Sequence, residues 1–392
     1  MPLLHRAARF LAAAFTLILL SLPAMAQSAG DVRFEQGIPA KVRDAVSRAV
    51  PGLLRVYASL LDAEPYSRPA LSLAWEAPEE EGWKVERAAD AGAASRVRLS
   101  GKDWADPPPA ALAALLEAVA SELARVWSTS IHRPDPDVPA WVIEGNSRLL
   151  AIAALLRLGL ASPGDTARRV NIALNTCFAQ PGHDACDLAI LFALVALAQR
   201  RDPALDAFAF WRDLWKAYPR YGVRSIAEFA RERMPQDAAR FVPDAFGPSS
   251  RSLDTTVLHA VRSAFEVDLP APPPDVYASH ILGGLMRLDC SGKMAFWTNN
   301  DHLYTDDVPG CKFFRGGWKL RRMAGRDLLR EPREAALAAR ATCTGEGKLV
   351  FGTLDGEEHA MPCDAAIAAR LPDDLRVANL APLRVARVLS RP

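Results

Sequence analysis

Two carboxylates, a serine and an arginine stand at spacings that can bring them into one site. Ser121, Glu122 and Arg125 lie within one stretch of helical periodicity, and Glu144 follows Arg125 after the eighteen residues 126–143. Residues four apart share one side of a helix, so Ser121 and Arg125 lie together, with Glu122 at the edge of that side. Paired carboxylates can act as general acid and base, whereas carboxylates beside an arginine form ion pairs. Helical spacing therefore predicts one polar side that holds Ser121 and Arg125, and Glu144 lies on the next predicted helix.

The spacing of Ser121, Glu122, Arg125 and Glu144 resembles the zinc site of the gluzincin metallopeptidases, the M1 aminopeptidase type in particular. We call these four positions the frame. Their zinc helix reads H-E-x-x-H, and a glutamate ligand follows after eighteen residues, often within P-x-W-x-x-E-G. The second motif stands here as Pro139, Trp141, Glu144 and Gly145. The resemblance covers roughly residues 70–260. It implies a zincin-like fold, with strands before the zinc helix and a helical bundle after it.

Both histidine positions of that motif are lost, to Ser121 and Arg125. Such a zinc site needs two neutral imidazoles four residues apart and a carboxylate, with the intervening glutamate activating a bound water. Serine is a poor zinc ligand, and a guanidinium is a permanent cation that repels the metal. Glu122 therefore keeps the general-base position without a metal-bound water. We expect a pseudopeptidase with no catalytic residue, no metal and no cofactor. Without the metal a buried Glu144 needs another cation, so the resemblance implies an ion pair between Arg125 and Glu144.

Several alternatives remain open from the sequence. A non-catalytic protein can bind a peptide or an envelope protein in a peptidase-like groove. A metal-independent hydrolase would use Glu122 and Glu144, but one carboxyl group must then stay protonated, which Arg125 opposes. An active zinc peptidase would need displaced ligands such as His132, and no two histidines stand four residues apart. The last alternative is that these polar residues have no site function and lie on a helix face exposed to solvent.

Four aromatic residues are candidates for the walls of such a groove. Trp127 ends the first helix of the frame, and Trp141 opens the second. Tyr218 and Tyr221 lie about as far beyond Glu144 as the tyrosine that stabilises the transition state in M1 peptidases. Together with Trp215, these two tyrosines stand at helical spacing, which is more typical of a core or a cleft wall than of a catalytic site.

The first 26 residues are typical of a signal peptide. Arg6 and Arg9 precede an uncharged apolar run, Phe10 to Leu22, and small residues stand at Ala24 and Ala26. The run is shorter than the roughly 20 residues that span a bilayer. We expect cleavage near Ala26, export to the bacterial periplasm or beyond, and no transmembrane segment after signal removal.

The cysteines fit this compartment, because an even number in an exported protein predicts disulfides. Cys290-Ser-Gly-Lys and Cys343-Thr-Gly-Glu open two similar segments, which close at Cys311 and Cys363. The repeat predicts the pairs 290–311 and 343–363, leaving Cys177 with Cys186. A zinc site of Cys177, His183 and Cys186 is disfavoured, because thiols oxidise in this compartment.

Composition limits the partners. Half of the residues are hydrophobic, enough for a large core. Residues 1–26 hold two of the 47 basic residues and none of the 46 acidic ones, so the remaining chain has a formal charge of −1. A nucleic-acid partner would call for a basic patch, so we expect none.

The periodicities predict an α+β fold. Strands are expected at 70–75, 83–87 and 96–99, and helices over 42–61 and most of 110–265. The predicted organisation is a signal peptide (1–26), a gluzincin-like domain with a large helical bundle (27–268), a proline-rich linker (269–275) and a small β-rich domain with two cystine hairpins (276–392). Late strands are expected within 375–389.

Overall fold

The computed structural model describes residues 31–64, 70–89, 94–131, 133–179, 183–238, 240–246, 253–345, 347–372 and 375–390. The predicted signal peptide and His132 lie outside the described residues. Within this part of the chain the fold is α+β, as predicted: a small sheet, a helical bundle and a second sheet follow one another. No described helix combines the length and apolar character needed to cross a membrane.

The elements follow the expected periodicities closely in the first 265 residues. The described strands are β1 Asp31–Phe34, β2 Ala70–Glu76, β3 Lys84–Ala89, β4 Ala94–Ser100, β5 Arg133–Pro134, β6 Arg220–Tyr221, β7 Phe296–Thr298, β8 Leu303–Thr305, β9 Lys319–Met323, β10 Arg326–Asp327, β11 Gly347–Thr353 and β12 Glu358–Cys363. The described α-helices are α1 Ala40–Leu61, α2 Pro109–Val126, α3 Ala140–Arg157, α4 Pro163–Ala179, α5 His183–Arg201, α6 Ala207–Ala217, α7 Val223–Arg233, α8 Phe241–Phe246, α9 Leu253–Phe265, α10 Pro274–Asp289, α11 Pro332–Cys343, α12 Ala365–Ala368 and α13 Pro382–Leu389.

The first sheet has the strand order β1-β2-β4-β3. β1, β2 and β4 run parallel, and β3 pairs antiparallel with β4 at the edge. Among the described strands β3 has no second neighbour, so one side of its backbone faces away from the sheet. Helix α2 packs against β3 and β4 and continues into a π-helical turn, Trp127–Ile131. The sheet and this helix together form the framework of the site.

Helices α3 and α5 form the centre of the bundle. α3 packs against α2 on one side and α5 on another. The apolar run 188–198 of α5 is buried throughout. A helix that is apolar on all sides is typical of a core position in a large domain, and this one is surrounded by α3, α4 and α9.

The second sheet contains a structural repeat. Helix α10 leads through Cys290 into the hairpin β7–β8, and helix α11 leads through Cys343 into the hairpin β11–β12. A disulfide joins each helix end to the chain at or after its hairpin: Cys343 bonds to Cys363, the last residue of β12, and Cys290 bonds to Cys311, which follows β8. The two hairpins flank β9 in one sheet, in the order β12-β11-β9-β8-β7. The third disulfide joins Cys177 to Cys186, so all three predicted pairs are confirmed.

The prediction of late strands in 375–389 is wrong. No strand is described there; residues 382–389 form helix α13, which begins at Pro382. Proline suits the first turn of a helix, because its missing N–H has no intrahelical partner there. Helix α13 packs on α3, α4 and α5, so the end of the predicted β-rich domain lies on the bundle. Part of the linker is also helical, since α10 begins at Pro274.

Candidate functional site

The structure brings the predicted polar residues together. Ser121, Glu122 and Arg125 lie on α2, and Glu144 lies on the facing helix α3. The predicted ion pair is present, with Arg125 Nη1 at 3.5 Å from Glu144 Oε1. A second arginine, Arg87 of β3, is closer: its Nη1 lies 2.9 Å from Glu144 Oε2. These five residues, 87, 121, 122, 125 and 144, form what we call the ion-pair cluster.

Glu122 is the most buried charge of the ion-pair cluster. Its side chain is 1% exposed and lies 3.8 Å from Arg87 and 4.0 Å from Arg125. Its Oε1 accepts no hydrogen bond from the described residues. Ser121 is equally buried and accepts a hydrogen bond of 3.1 Å from Arg87 Nη1. This burial excludes the alternative of an ordinary solvated helix face.

A further ion pair lies beside the cluster, where α3 crosses α5. Arg148 Nη1 donates to both carboxylate oxygens of Asp187, at 2.8 and 3.1 Å. Burial raises the pKa of Asp187, while the charges of Arg148 and Arg87 act in the opposite direction. A Cβ on Gly145 would lie 2.7 Å from the Asp187 carbonyl oxygen. The glycine of the P-x-W-x-x-E-G motif therefore permits the close helix crossing that places this pair.

A cleft of about 210 Å³ opens between β3 and α2, next to the ion-pair cluster. We call it the β3–α2 cleft. Its lining residues come from β3 and the residue before it, and from three helices: Trp83, Val85, Arg87, Ala114, Glu117, Ala118, Ser121, Arg148 and Arg169. Arg87 and Ser121 connect its floor to the cluster.

The four aromatic candidates do not line this cleft. Trp127 and Tyr221 are each 1% exposed. Trp127 Nε1 donates to the Ala63 carbonyl, and the Tyr221 hydroxyl donates to the Ser128 carbonyl. Trp141 is 7% exposed and packs on Phe246, and Tyr218 is partly buried. Trp127 and Tyr221 therefore belong to the core and not to a groove wall, because both are buried and their polar atoms are bonded to backbone groups.

Sequence reasoning missed Arg87, Arg148 and Arg169. Arg87 lies on a strand far upstream of α2, and no spacing rule connects an edge strand to a helix that packs on it. Arg148 could have been placed near the cluster from the sequence, because it stands four residues after Glu144 on the same helix. Arg169 lies on α4 and pairs with Glu117 of α2 at 3.0 Å.

The donor atoms do not fit a zinc ion at the cluster. Glu122, Glu144 and Ser121 offer oxygens, but two guanidiniums lie within 4.0 Å of the carboxylates and would repel a metal. One other set of potential ligands lies close together in the described part of the chain, namely Asp289, Cys290 and Cys311. Its two sulfurs form a disulfide, and the Asp289 carboxylate accepts the backbone N–H groups of residues 313 and 314.

No protein-family model matches the chain, and no curated protein matches it. The cluster places two carboxylates between two guanidiniums, with a serine hydroxyl bonded to one of them. Such an arrangement can fix two helices and a strand together, and it leaves the neighbouring cleft open to a ligand.

Proposed function

We propose that this chain is an exported, non-catalytic relative of the gluzincin peptidases that binds a peptide segment of a partner protein in the β3–α2 cleft. The observation that carries the proposal is the ion-pair cluster. Arg125 stands at the position of a histidine ligand in the gluzincins, which the sequence resembles. It contacts Glu144, which stands at the position of their third ligand. A metal that joins two helices is thus replaced by ion pairs.

The replacement accounts for the charges of the cluster. In the family, zinc neutralises the ligand glutamate and holds the two helices together. Here Glu122 and Glu144 are matched by Arg87 and Arg125. A partly buried carboxylate is costly without a cation, so the arginines supply what the metal would supply. The same balance argues against a hydrolase that uses these two carboxylates as acid and base.

The edge strand supports the choice of a peptide as ligand. One side of the β3 backbone has no neighbouring strand among the described residues. An extended peptide can add to such an edge through main-chain hydrogen bonds, while pockets next to the edge select its side chains. The β3–α2 cleft is such a pocket, because Val85 and Arg87 of β3 line it. The three disulfides favour an oxidising compartment, which we propose to be the periplasm.

The first test asks whether the protein is a zinc enzyme. We expect residues 27–392, purified from an oxidising compartment, to contain no stoichiometric zinc by elemental analysis. We also expect no cleavage of aminopeptidase substrates or of unfolded protein. One zinc per chain, together with peptide cleavage that a chelator abolishes, would refute the proposal.

A second test asks whether positions 121, 125 and 144 have the geometry of a zincin metal site. The triple variant Arg87→Ala, Ser121→His, Arg125→His places two imidazoles opposite Glu144 and removes both competing guanidiniums. We expect it to bind one zinc ion, and the matched variant Arg87→Ala, Arg125→His, with one imidazole, to bind far more weakly. If the triple variant folds by circular dichroism but takes up no zinc, the family resemblance loses its physical support.

A further inference from the structure

We infer that the β3–α2 cleft selects an acidic segment of the bound peptide. This inference rests on the proposed function and adds the class of ligand. The cleft is lined by three guanidiniums, from Arg87, Arg148 and Arg169, and by one carboxylate, from Glu117. No other charged side chain lines it within the described part of the chain. Its inner surface is therefore cationic.

The positive charge of the cleft lining is not obvious, because each of its arginines is paired with an acid. Arg87, Arg148 and Arg169 are paired with acids, but two of the nearby acids lie deeper than the arginines. The side chains of Glu122 and Asp187 are 1% and 7% exposed and do not line the cleft. The three arginine side chains are 29%, 34% and 43% exposed. Glu144 is as exposed as Arg87, at 29%, but does not line the cleft either, so the lining holds three guanidiniums against one carboxylate.

Each guanidinium keeps unused donors. A guanidinium has five N–H groups in a planar fork. Arg148 contacts Asp187 through Nη1, Arg169 contacts Glu117 through Nε, and Arg87 contacts Glu144 and Ser121 through Nη1. The remaining N–H groups of these side chains make no hydrogen bond to the described residues. Donors without acceptors, on three side chains that line one cleft, match a carboxylate, which accepts two parallel bonds from one arginine.

The size of the cleft favours a side chain over a free small molecule. Sites for drug-sized ligands and cofactors occupy about 300–1,000 Å³, and this cleft measures about 210 Å³. An extended peptide beside β3 sends alternate side chains to the same face. Glutamate or aspartate at such positions would enter the cleft while the backbone pairs with the strand edge. The expected ligand is therefore a peptide segment with carboxylates at alternate positions.

The experiment measures the affinity of residues 27–392 for three peptides by fluorescence anisotropy, with an uncharged dye. The peptides are six residues long, are capped at both ends and differ in two alternate positions, which carry Glu, Gln or Lys. We expect the Glu peptide to bind at least about tenfold more tightly than the Gln peptide, and the Lys peptide to bind most weakly. Added salt should reduce the difference, because these charges are partly exposed.

Two neighbouring arginines provide a matched pair of variants. Arg169 lines the cleft and lies outside the ion-pair cluster, whereas Arg168 is 71% exposed, pairs with Asp165 and does not line the cleft. Arg169→Gln should remove most of the preference for Glu over Gln, and Arg168→Gln should leave it unchanged. Both variants should remain folded, because the two arginine side chains are 43% and 71% exposed and a glutamine at 169 can still donate a hydrogen bond to Glu117.

The outcomes separate this inference from the function on which it rests. If the Glu and Gln peptides bind equally well, the acidic preference is refuted while peptide binding stands. If none of the three peptides binds, both are refuted. Binding of inorganic phosphate in the absence of peptide binding also refutes the inference, because it would assign the arginines to a free anion.

Discussion

Glu144 contacts a different guanidinium with each of its oxygens, Arg87 at 2.9 Å and Arg125 at 3.5 Å. The three side chains are 29%, 29% and 33% exposed, so they are neither free in water nor fully buried. Exposed ion pairs contribute about 0–1 kcal/mol, whereas breaking a buried pair costs about 3–5 kcal/mol. The pairs of the ion-pair cluster should lie between these limits.

We predict that double-mutant cycles rank the two pairs by distance. Arg87→Ala with Glu144→Ala should show a coupling of about 1–2 kcal/mol, and Arg125→Ala with Glu144→Ala should show less than about 1 kcal/mol. Urea unfolding of the single and double variants measures both. Additive, near-neutral effects for both pairs would mean that the cluster does not replace a metal structurally.

Gly145 allows a second prediction at this scale. Its substitution by alanine would place a Cβ 2.7 Å from the backbone of Asp187, so helices α3 and α5 would have to separate. We expect a loss of about 1–3 kcal/mol in the free energy of unfolding. Gly284 of α10 is the matched control, because the nearest atom to its Cβ would be 3.9 Å away. Gly284→Ala should be neutral or stabilising, since alanine is the better helix former. Equal losses in both variants would contradict the steric argument.

Helical periodicity predicted that Ser121, Glu122 and Arg125 lie close together, and the resemblance to the gluzincin zinc site predicted that Glu144 of the next helix lies beside them. The sequence could not predict Arg87. The position of β3 depends on its pairing with β4 and on the packing of α2, which are tertiary contacts. The aromatic candidates failed for a related reason: spacing shows which side chains share a helix face, but not whether that face meets solvent or core.

At the scale of elements, the predicted helices and strands of the first 265 residues were found because their apolar residues repeat clearly. Helices α10 to α13, all beyond residue 265, were missed, and α11 and α13 show why. α11 is rich in alanine and has few large apolar residues, and the valines of α13 favoured a strand. Both begin with proline, as do α2 and α10. A proline at the start of a helix is a local signal. The prediction of strands in 375–389 gave more weight to the valines than to this proline.

The helix–hairpin repeat makes a prediction about disulfides. Cys290, Cys343 and Cys363 are buried, and each cystine joins the end of a helix to the chain at or after its hairpin. Removing the bond between Cys343 and Cys363 with the double variant to serine should lower the free energy of unfolding by about 2–4 kcal/mol. Peptide mapping without reductant provides the independent check. A bond between Cys290 and Cys343 would refute the repeat.

At the scale of the whole molecule, the end of the chain returns to the helical bundle. Asn171 and Asn175 of α4 bond through their side chains to the backbone of Leu380 and Ala378. Gln199 of α5 donates to the Arg387 carbonyl. In the order of the chain, the second sheet therefore lies between helix α9, which belongs to the bundle, and helix α13, which packs on it. Two independent domains joined by a linker would not need these contacts, so we expect the bundle and the chain end to unfold together.

Two leucines of α13 test this coupling. Leu389 is fully buried against the bundle, whereas Leu383 is 70% exposed on the same helix. Leu389→Ala should lower the free energy of unfolding by about 2–5 kcal/mol, because it leaves a cavity at the contact. Leu383→Ala removes the same atoms from the surface and should change it by less than about 0.5 kcal/mol. Unfolding followed by circular dichroism at 222 nm reports mainly on the bundle, which holds most of the described helices. If Leu389→Ala shifts that transition no more than Leu383→Ala does, the bundle is stable without the chain end, and the molecule consists of two separately folding parts.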